Sequence, residues 1–277
     1  MKIGTTVEIT SKNDFEIIKR MGFSCFDAQG LVNPEGYLYT LSDAEFEKTV
    51  RDTKETVDAL GLEASQLHGP WRWPAEDDTE EKRAHWLTLC ARAIRACELL
   101  GCKHFVIHPL MPFGSEERDA AFAREINRDF FKKLCVLGEA HGVVICVENM
   151  PFAEQSLARV APLLDFVKEI DSPWLRICLD TGHCSRLGGS PAEAVRLLGK
   201  EYLAVMHVHD NDGKADRHWE PGLGVIYWRD FMAALVEIGF EGTLSMEIAY
   251  RYSIGVERDA YFARIAEVAR GLTAYAE

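Results

Sequence analysis

The chain has 277 residues, 47% of them hydrophobic and 27% charged, a composition that supplies a sizeable core and gives no sign of disorder. Its formal net charge of -13 repels polyanions and weighs against a nucleic-acid partner, because phosphate contacts dominate that kind of affinity. No apolar run approaches the roughly 20 residues that cross a bilayer, and MKIGTTVEIT lacks the apolar stretch of a signal peptide, so no membrane partner and a cytoplasmic location are expected.

In chain order, KIGTTVEI reads as an opening strand. After it one pattern recurs: an amphipathic stretch ends in a glycine, and a β-rich run follows almost at once. KRMGFSCFDA, DALGLEASQLH, ELLGCKHFVIH and EAHGVVICVEN show it in turn, with glycines at positions 22, 61, 101 and 142. DSPWLRICLD then replaces the glycine junction, and LLGKEYLAVMHVH and VEIGFEGTLSMEI complete the set. Glycine after the last helical turn suits a left-handed C-cap, and the apolar run behind it suits a parallel strand buried on both faces. Helix starts agree: SDAE at residues 42–45 and SPAE at residues 190–193 fit a capping box, the second with Pro191 at the first helical position.

Eight such units in about 250 residues predict an α/β fold, a (β/α)8 TIM barrel, with residues 1–277 forming a single domain. A doubly wound open sheet would show a glycine-rich phosphate loop after its first strand, and TTVEITSKND offers none. The eight cysteines form no CxxC pair and mostly sit in apolar runs, so they read as small buried hydrophobes in a reducing compartment; Cys184, beside His183, is the one held apart.

Reactive groups of a barrel belong at the C-terminal ends of its strands. Six consecutive expected strands end there in His68, His108, Glu148, Asp180 (with His183 a short turn later), His207 and Glu247. Of nine histidines, His68, His108, His183, His207, His209 and His218 lie at or just beyond these ends, which scattered surface histidines would rarely achieve. Imidazole and carboxylate without cysteine suit Zn, Mn, Co or Fe as a divalent ion. Glu148, Asp180 and Glu247 together would repel one another unless a cation neutralised them. His209 falls on the same side of an extended chain as His207, where it lines the pocket or caps the loop, and it is not counted as a ligand. Trp71 and Trp73 of WRW are candidates to stack on a sugar ring, while Arg72, Lys214 and Arg217 are candidates to hold an anion.

In this order the residues resemble the xylose-isomerase-like TIM-barrel superfamily, which includes sugar phosphate isomerases and epimerases, ketose 3-epimerases and AP endonucleases of the endonuclease IV type. The resemblance covers nearly the whole chain. It implies one divalent metal held, as in the epimerase branch, by Glu148, Asp180, His207 and Glu247, with Glu148 and Glu247 flanking the substrate as acid and base. The endonuclease IV branch adds ligands for a trinuclear zinc site, and His68, His108, His183, Asp216 and His218 stand at the matching points, the last two within DRHWEPGLG, which is similar to that branch's D-R-H-x-x-x-G-x-G. ENMPF, the Gly182 of DTGHCSRLGG and HVHDNDG depart from that branch's pattern.

The resemblance and the residues together imply a metal-dependent isomerase or epimerase of a small-molecule sugar or sugar phosphate. Glu148 and Glu247 would exchange a C–H proton through a metal-stabilised enediolate, His183 would orient a substrate oxygen, and Trp71, Trp73 and Arg217 would contact the substrate. The alternative is an endonuclease IV-like phosphodiesterase holding two or three Zn. A sugar-binding barrel without chemistry ranks last, because Glu148 and Glu247 are retained. Barrel helices also offer faces for a homo-oligomer.

Overall fold

A computed structural model describes residues 1–73, 75–249 and 256–276. Eight parallel strands follow the chain: β1 (Lys2–Glu8), β2 (Cys25–Gln29), β3 (Glu63–His68), β4 (His104–Ile107), β5 (Val144–Glu148), β6 (Leu175–Asp180), β7 (Leu203–His207) and β8 (Thr243–Met246). They pair in sequence order, and β1 also pairs with β8. Just past β7 the ring closes through Val208, whose N–H donates to Ser245 O at 2.8 Å and whose carbonyl accepts from Glu247 N at 3.1 Å. The fold is the TIM barrel that the glycine-punctuated repeats predicted.

The outer layer consists of α1 (Lys12–Arg20), α3 (Asp43–Leu60), α4 (Glu80–Leu100), α5 (Ala120–His141), α6 (Val160–Ile170), α8 (Pro191–Tyr202), α9 (Trp228–Glu237) and α10 (Arg258–Thr273); the short α2 (Tyr37–Thr40) and α7 (Thr181–Arg186) sit at the mouth. The Ser42 box closes in both directions, Glu45 N to Ser42 Oγ at 3.4 Å and Ser42 N to Glu45 Oε2 at 3.1 Å. At Ser190 the cap accepts from Glu193 N, with Pro191 at the first helical position. Where the glycine junction is missing, Asp171 itself takes the left-handed cap of α6 (φ 51, ψ 50), the kind of exception Asp and Asn tolerate. Gly199 does not end α8: its backbone breaks there, and the helix resumes to Tyr202.

Phenylalanines such as Phe105, Phe131, Phe166 and Phe231 fill the layer between strands and helices. Inside the ring Val106, Cys146, Cys178 and Val205 form their own cluster. Side chains two apart on a strand share a face. The residues two positions on are His108, Glu148, Asp180 and His207, so period-two geometry stacks the site directly above this apolar plug. All eight cysteines are free and buried, Cys184 included, and burial pushes its thiol up to about 12, which leaves it inert as a nucleophile. Among the described residues no helix is long and apolar enough to cross a membrane.

Candidate metal centre

The strand ends converge on the carboxylate of Glu148. Its Oε1 lies 3.0 Å from His207 Nδ1 and 3.5 Å from His183 Nδ1, and its Oε2 lies 3.2 Å from His108 Nε2 and 3.5 Å from His68 Nε2. His207 Nδ1 is also 3.4 Å from Glu247 Oε2 and 4.0 Å from Asp180 Oδ2. One imidazole nitrogen thus faces three carboxylates.

Local structure fixes each group. Asp180 ends β6 and caps α7, its Oδ1 accepting from His183 N at 2.6 Å. The Asn149 side chain clamps the Asp180 backbone through bonds of 2.8 and 3.0 Å. His183 Nδ1 lies 2.8 Å from Asn149 O, which makes that nitrogen the donor and turns Nε2 toward Asp216 Oδ2 at 3.5 Å. His218 holds a left-handed backbone (φ 51), with Nδ1 2.9 Å from Glu247 O and Nε2 3.1 Å from Asp216 Oδ2. Non-glycine residues in that region carry strain that functional sites tend to keep.

Burial and charge work against one another at these groups. Burial alone would lower His183, but Asp180, Asp216 and Glu148 outweigh it and hold its pKa at about 10. Burial likewise opposes protonation of His218, and Asp216 with Glu247 holds it at about 9. Against a desolvation cost, the His207 and His108 imidazoles keep Glu148 well below the usual carboxylate range, and burial pushes His108 down. Several buried atoms have no hydrogen-bond partner among the described residues, including Glu148 Oε2, His108 Nδ1 and Asp216 Oδ1. Buried polar atoms are ordinarily paired. Three groups each bring one potential ligand atom per residue within 4.8 Å of the others: Glu148, Asp180, His207 and Glu247; His68, Glu148 and His207; and His183, His209, Asp216 and His218. The residues fit a divalent ion, and their imidazole and carboxylate donors suit Zn, Mn, Co or Fe.

All nine expected ligand residues therefore meet at one mouth. His209 was not counted among them, yet it is fully buried within the third group. Its Nε2 lies 2.9 Å from Asp180 Oδ2, and its ring stacks on His218 with centroids 4.0 Å apart and planes 11° off parallel. Rings so nearly parallel cannot both aim an in-plane lone pair at one ion about 2 Å away, so the geometry makes His209 a support of Asp180 and His218. Gly182 makes room for it: a β-carbon there would run into His209 Cε1 and Nδ1.

Over the metal-type ligands lies a cavity of about 310 Å³, walled by Trp71, Trp73 and Phe152. Trp73 stacks on Phe152 at 5.0 Å, and Trp71 packs edge-on against His108 at 4.5 Å. A larger groove of about 800 Å³ shares both tryptophans. Arg217, expected at the substrate, is placed elsewhere: its guanidinium meets Asp212 Oδ2 at 3.0 and 3.1 Å, and it does not line the cavity. Asp216 reaches His183 Nε2 at 3.5 Å and His218 Nδ1 lies 2.9 Å from Glu247 O, while Arg217 between them turns to Asp212. Arg72 is engaged by Asp77 at 2.6 Å and lies over Trp86, and Lys214 is exposed.

Sequence reading missed Asp27. This fully buried carboxylate of β2 receives His207 Nε2 at 3.1 Å, Gln66 Nε2 at 2.9 Å and Gln29 Nε2 at 3.1 Å. The available signal was an acid within FSCFDAQG, since a parallel strand buried on both faces ordinarily reads as continuously apolar.

Comparison with known proteins agrees with this architecture. The family model described as xylose isomerase-like TIM barrel matches residues 15–272. The chain is 37% identical over 232 residues to the uncharacterized protein MJ1311 of Methanocaldococcus jannaschii, covering 80% of this chain and 74% of that one. It is 32% identical over 205 residues to the D-psicose 3-epimerase of Ruminiclostridium cellulolyticum, covering 72% of this chain and 67% of the epimerase. The crystal structure of a D-tagatose 3-epimerase-like protein superposes with a TM-score of 0.77 at 25% identity, over 100% of this chain and 98% of the other. The chain belongs to the xylose isomerase-like TIM-barrel family.

Proposed function

We propose that this protein is a divalent-metal-dependent sugar epimerase or isomerase acting by proton transfer at carbon. The observation that carries the reading is the placement of Glu148, Asp180, His207 and Glu247 within ligand reach of one another at the floor of a cavity of about 310 Å³, large enough for a monosaccharide and walled by aromatic rings. A divalent ion held there would supply Lewis-acid polarisation of a substrate carbonyl.

The chain's own residues divide the remaining work. The Glu247 carboxylate, 20% exposed at the cavity, removes the proton from carbon and exchanges it with solvent; Glu148, 1% exposed on the other side, takes up a solvent proton in the loaded site and delivers it to the opposite face of that carbon. His183 Nε2, oriented by the bond from Nδ1 to Asn149 O, holds a substrate oxygen. Trp71 and Trp73 present faces to the sugar ring. The pairing of Arg72 with Asp77 and of Arg217 with Asp212 supports a neutral sugar over a sugar phosphate. The likeness to D-psicose 3-epimerase supports a ketose as the first substrate class to try.

The test is turnover of a panel of ketoses in D2O with Mn, Co or Zn supplied. Deuterium on the epimerised carbon supports the reading, and turnover without it refutes proton transfer. A second reading, phosphodiester hydrolysis with two or three Zn, is favoured by one observation, the adjoining group of His183, Asp216 and His218. The net charge of -13 disfavours a polyanionic substrate for it.

A further inference from the structure

One buried carboxylate, Asp27, lies outside the ligand groups described above. It sits in β2, across the ring from β7, and is fully buried. A carboxylate moved out of water costs several kcal/mol unless it is paired and fully hydrogen-bonded. Three donors converge on it: Gln29 Nε2 on Oδ1 at 3.1 Å, and Gln66 Nε2 and His207 Nε2 on Oδ2 at 2.9 and 3.1 Å. Gln66 is itself anchored to Met206 O at 3.4 Å, the residue before His207. Two strands on the far side of the barrel thereby hold an acceptor under one imidazole.

The consequence lies in His207. Its ring has two nitrogens, and a neutral imidazole carries its proton on one of them. With Asp27 accepting from Nε2, the single proton of a neutral ring belongs there, which leaves Nδ1, facing Glu148, Glu247 and Asp180, as the nitrogen free to bind an ion. From this we infer that Asp27 is a positioning residue for the metal centre: it fixes the tautomer and orientation of His207, so that the ion is held through Nδ1. Carboxylates behind ligating histidines act in this way generally, and removing such a partner weakens metal binding by about 10-fold to 100-fold. The inference rests on the metal-centre reading above.

The test loads the full-length protein with Co2+, measures its affinity by competition with a chromophoric chelator, and records its d–d absorption. Wild type is compared with Asp27→Ala, which removes the acceptor, and Asp27→Asn, which removes the charge at equal size. Circular dichroism confirms the fold, and if the alanine variant does not fold, the asparagine variant decides. The expected result is a loss of about 10-fold for Asn and toward 100-fold for Ala, with altered d–d bands in each folded variant. Co2+ affinity within twofold of wild type and superimposable spectra for the folded variants overturn the role of Asp27. Failure of the wild type to bind Co2+ refutes the metal centre itself, and the inference falls with it.

Discussion

The imidazole of His209 occupies the space that a side chain at position 182 would need. A β-carbon on Gly182 would meet the ring's Cε1 and Nδ1 well inside contact distance, and the ring is fixed from its other sides by Asp180 and by stacking on His218. Gly182→Ala is therefore expected to destabilise the protein by about 1–3 kcal/mol, as overpacked cores do. A thermal melt checks this. Ala tolerated at no cost would mean that His209 does not hold this position.

Glu247→Gln keeps the size of the side chain and removes the base. Solvent exchange of the substrate's C–H proton should fall by at least about 100-fold while the fold is unchanged, in line with what positioned acid–base groups contribute. Arg217→Ala should leave turnover unaltered, because that guanidinium is spent on Asp212. NMR of the substrate in D2O reads both variants together.

Asp210 is the anchor of the loop that carries Asp216 and His218. Its carboxylate accepts from Gly222 N, Gly224 N, Ile226 N and Trp228 Nε1 at 2.9–3.2 Å. Asp210→Ala strands these donors and should cost about 3 kcal/mol, with Asp210→Asn milder since it keeps one acceptor oxygen. Urea titration gives the difference.

The metal-free protein should lose stability as pH rises. His183 and His218, at about 10 and about 9, sit above their ordinary value of 6.5, so folding takes up protons in this window. Their contribution is complete below about pH 6.5 and is lost as pH climbs through about 9 and then about 10. Protons on these two histidines also place positive charge beside the proposed centre, so metal affinity should rise as they leave over the same range. Urea midpoints of the chelator-treated and metal-loaded protein across pH 6 to 10 separate the two trends, and an apo midpoint rising with pH contradicts the assignment.

The barrel was legible because its repeats are local: a helix, a glycine in the left-handed cap, then an apolar strand with a ligand-type residue at its end. Glu148, Asp180 and His207 could be placed for the same reason, each two residues beyond an inward-facing apolar side chain. Asp27 could not. Its partner His207 is 180 positions away, and a single acid in a five-residue strand carries no local sign of what it faces. His209 was read onto the correct side of the chain, but its role depends on the orientation of two rings, which residue spacing does not encode. Arg217 was expected at the substrate and pairs instead with Asp212, a carboxylate five positions away on the same loop that residue type and position did not single out.

The most direct test of the central claim is the metal content of the purified protein after exhaustive dialysis, measured by elemental mass spectrometry for wild type and for Glu148→Ala, His207→Ala and His218→Ala. A centre built on Glu148, Asp180, His207 and Glu247 predicts about one tightly held divalent ion per chain, lost in the first two variants and retained in the third. Metal content that is absent from the wild type even after loading, or that survives the loss of both Glu148 and His207, would contradict it.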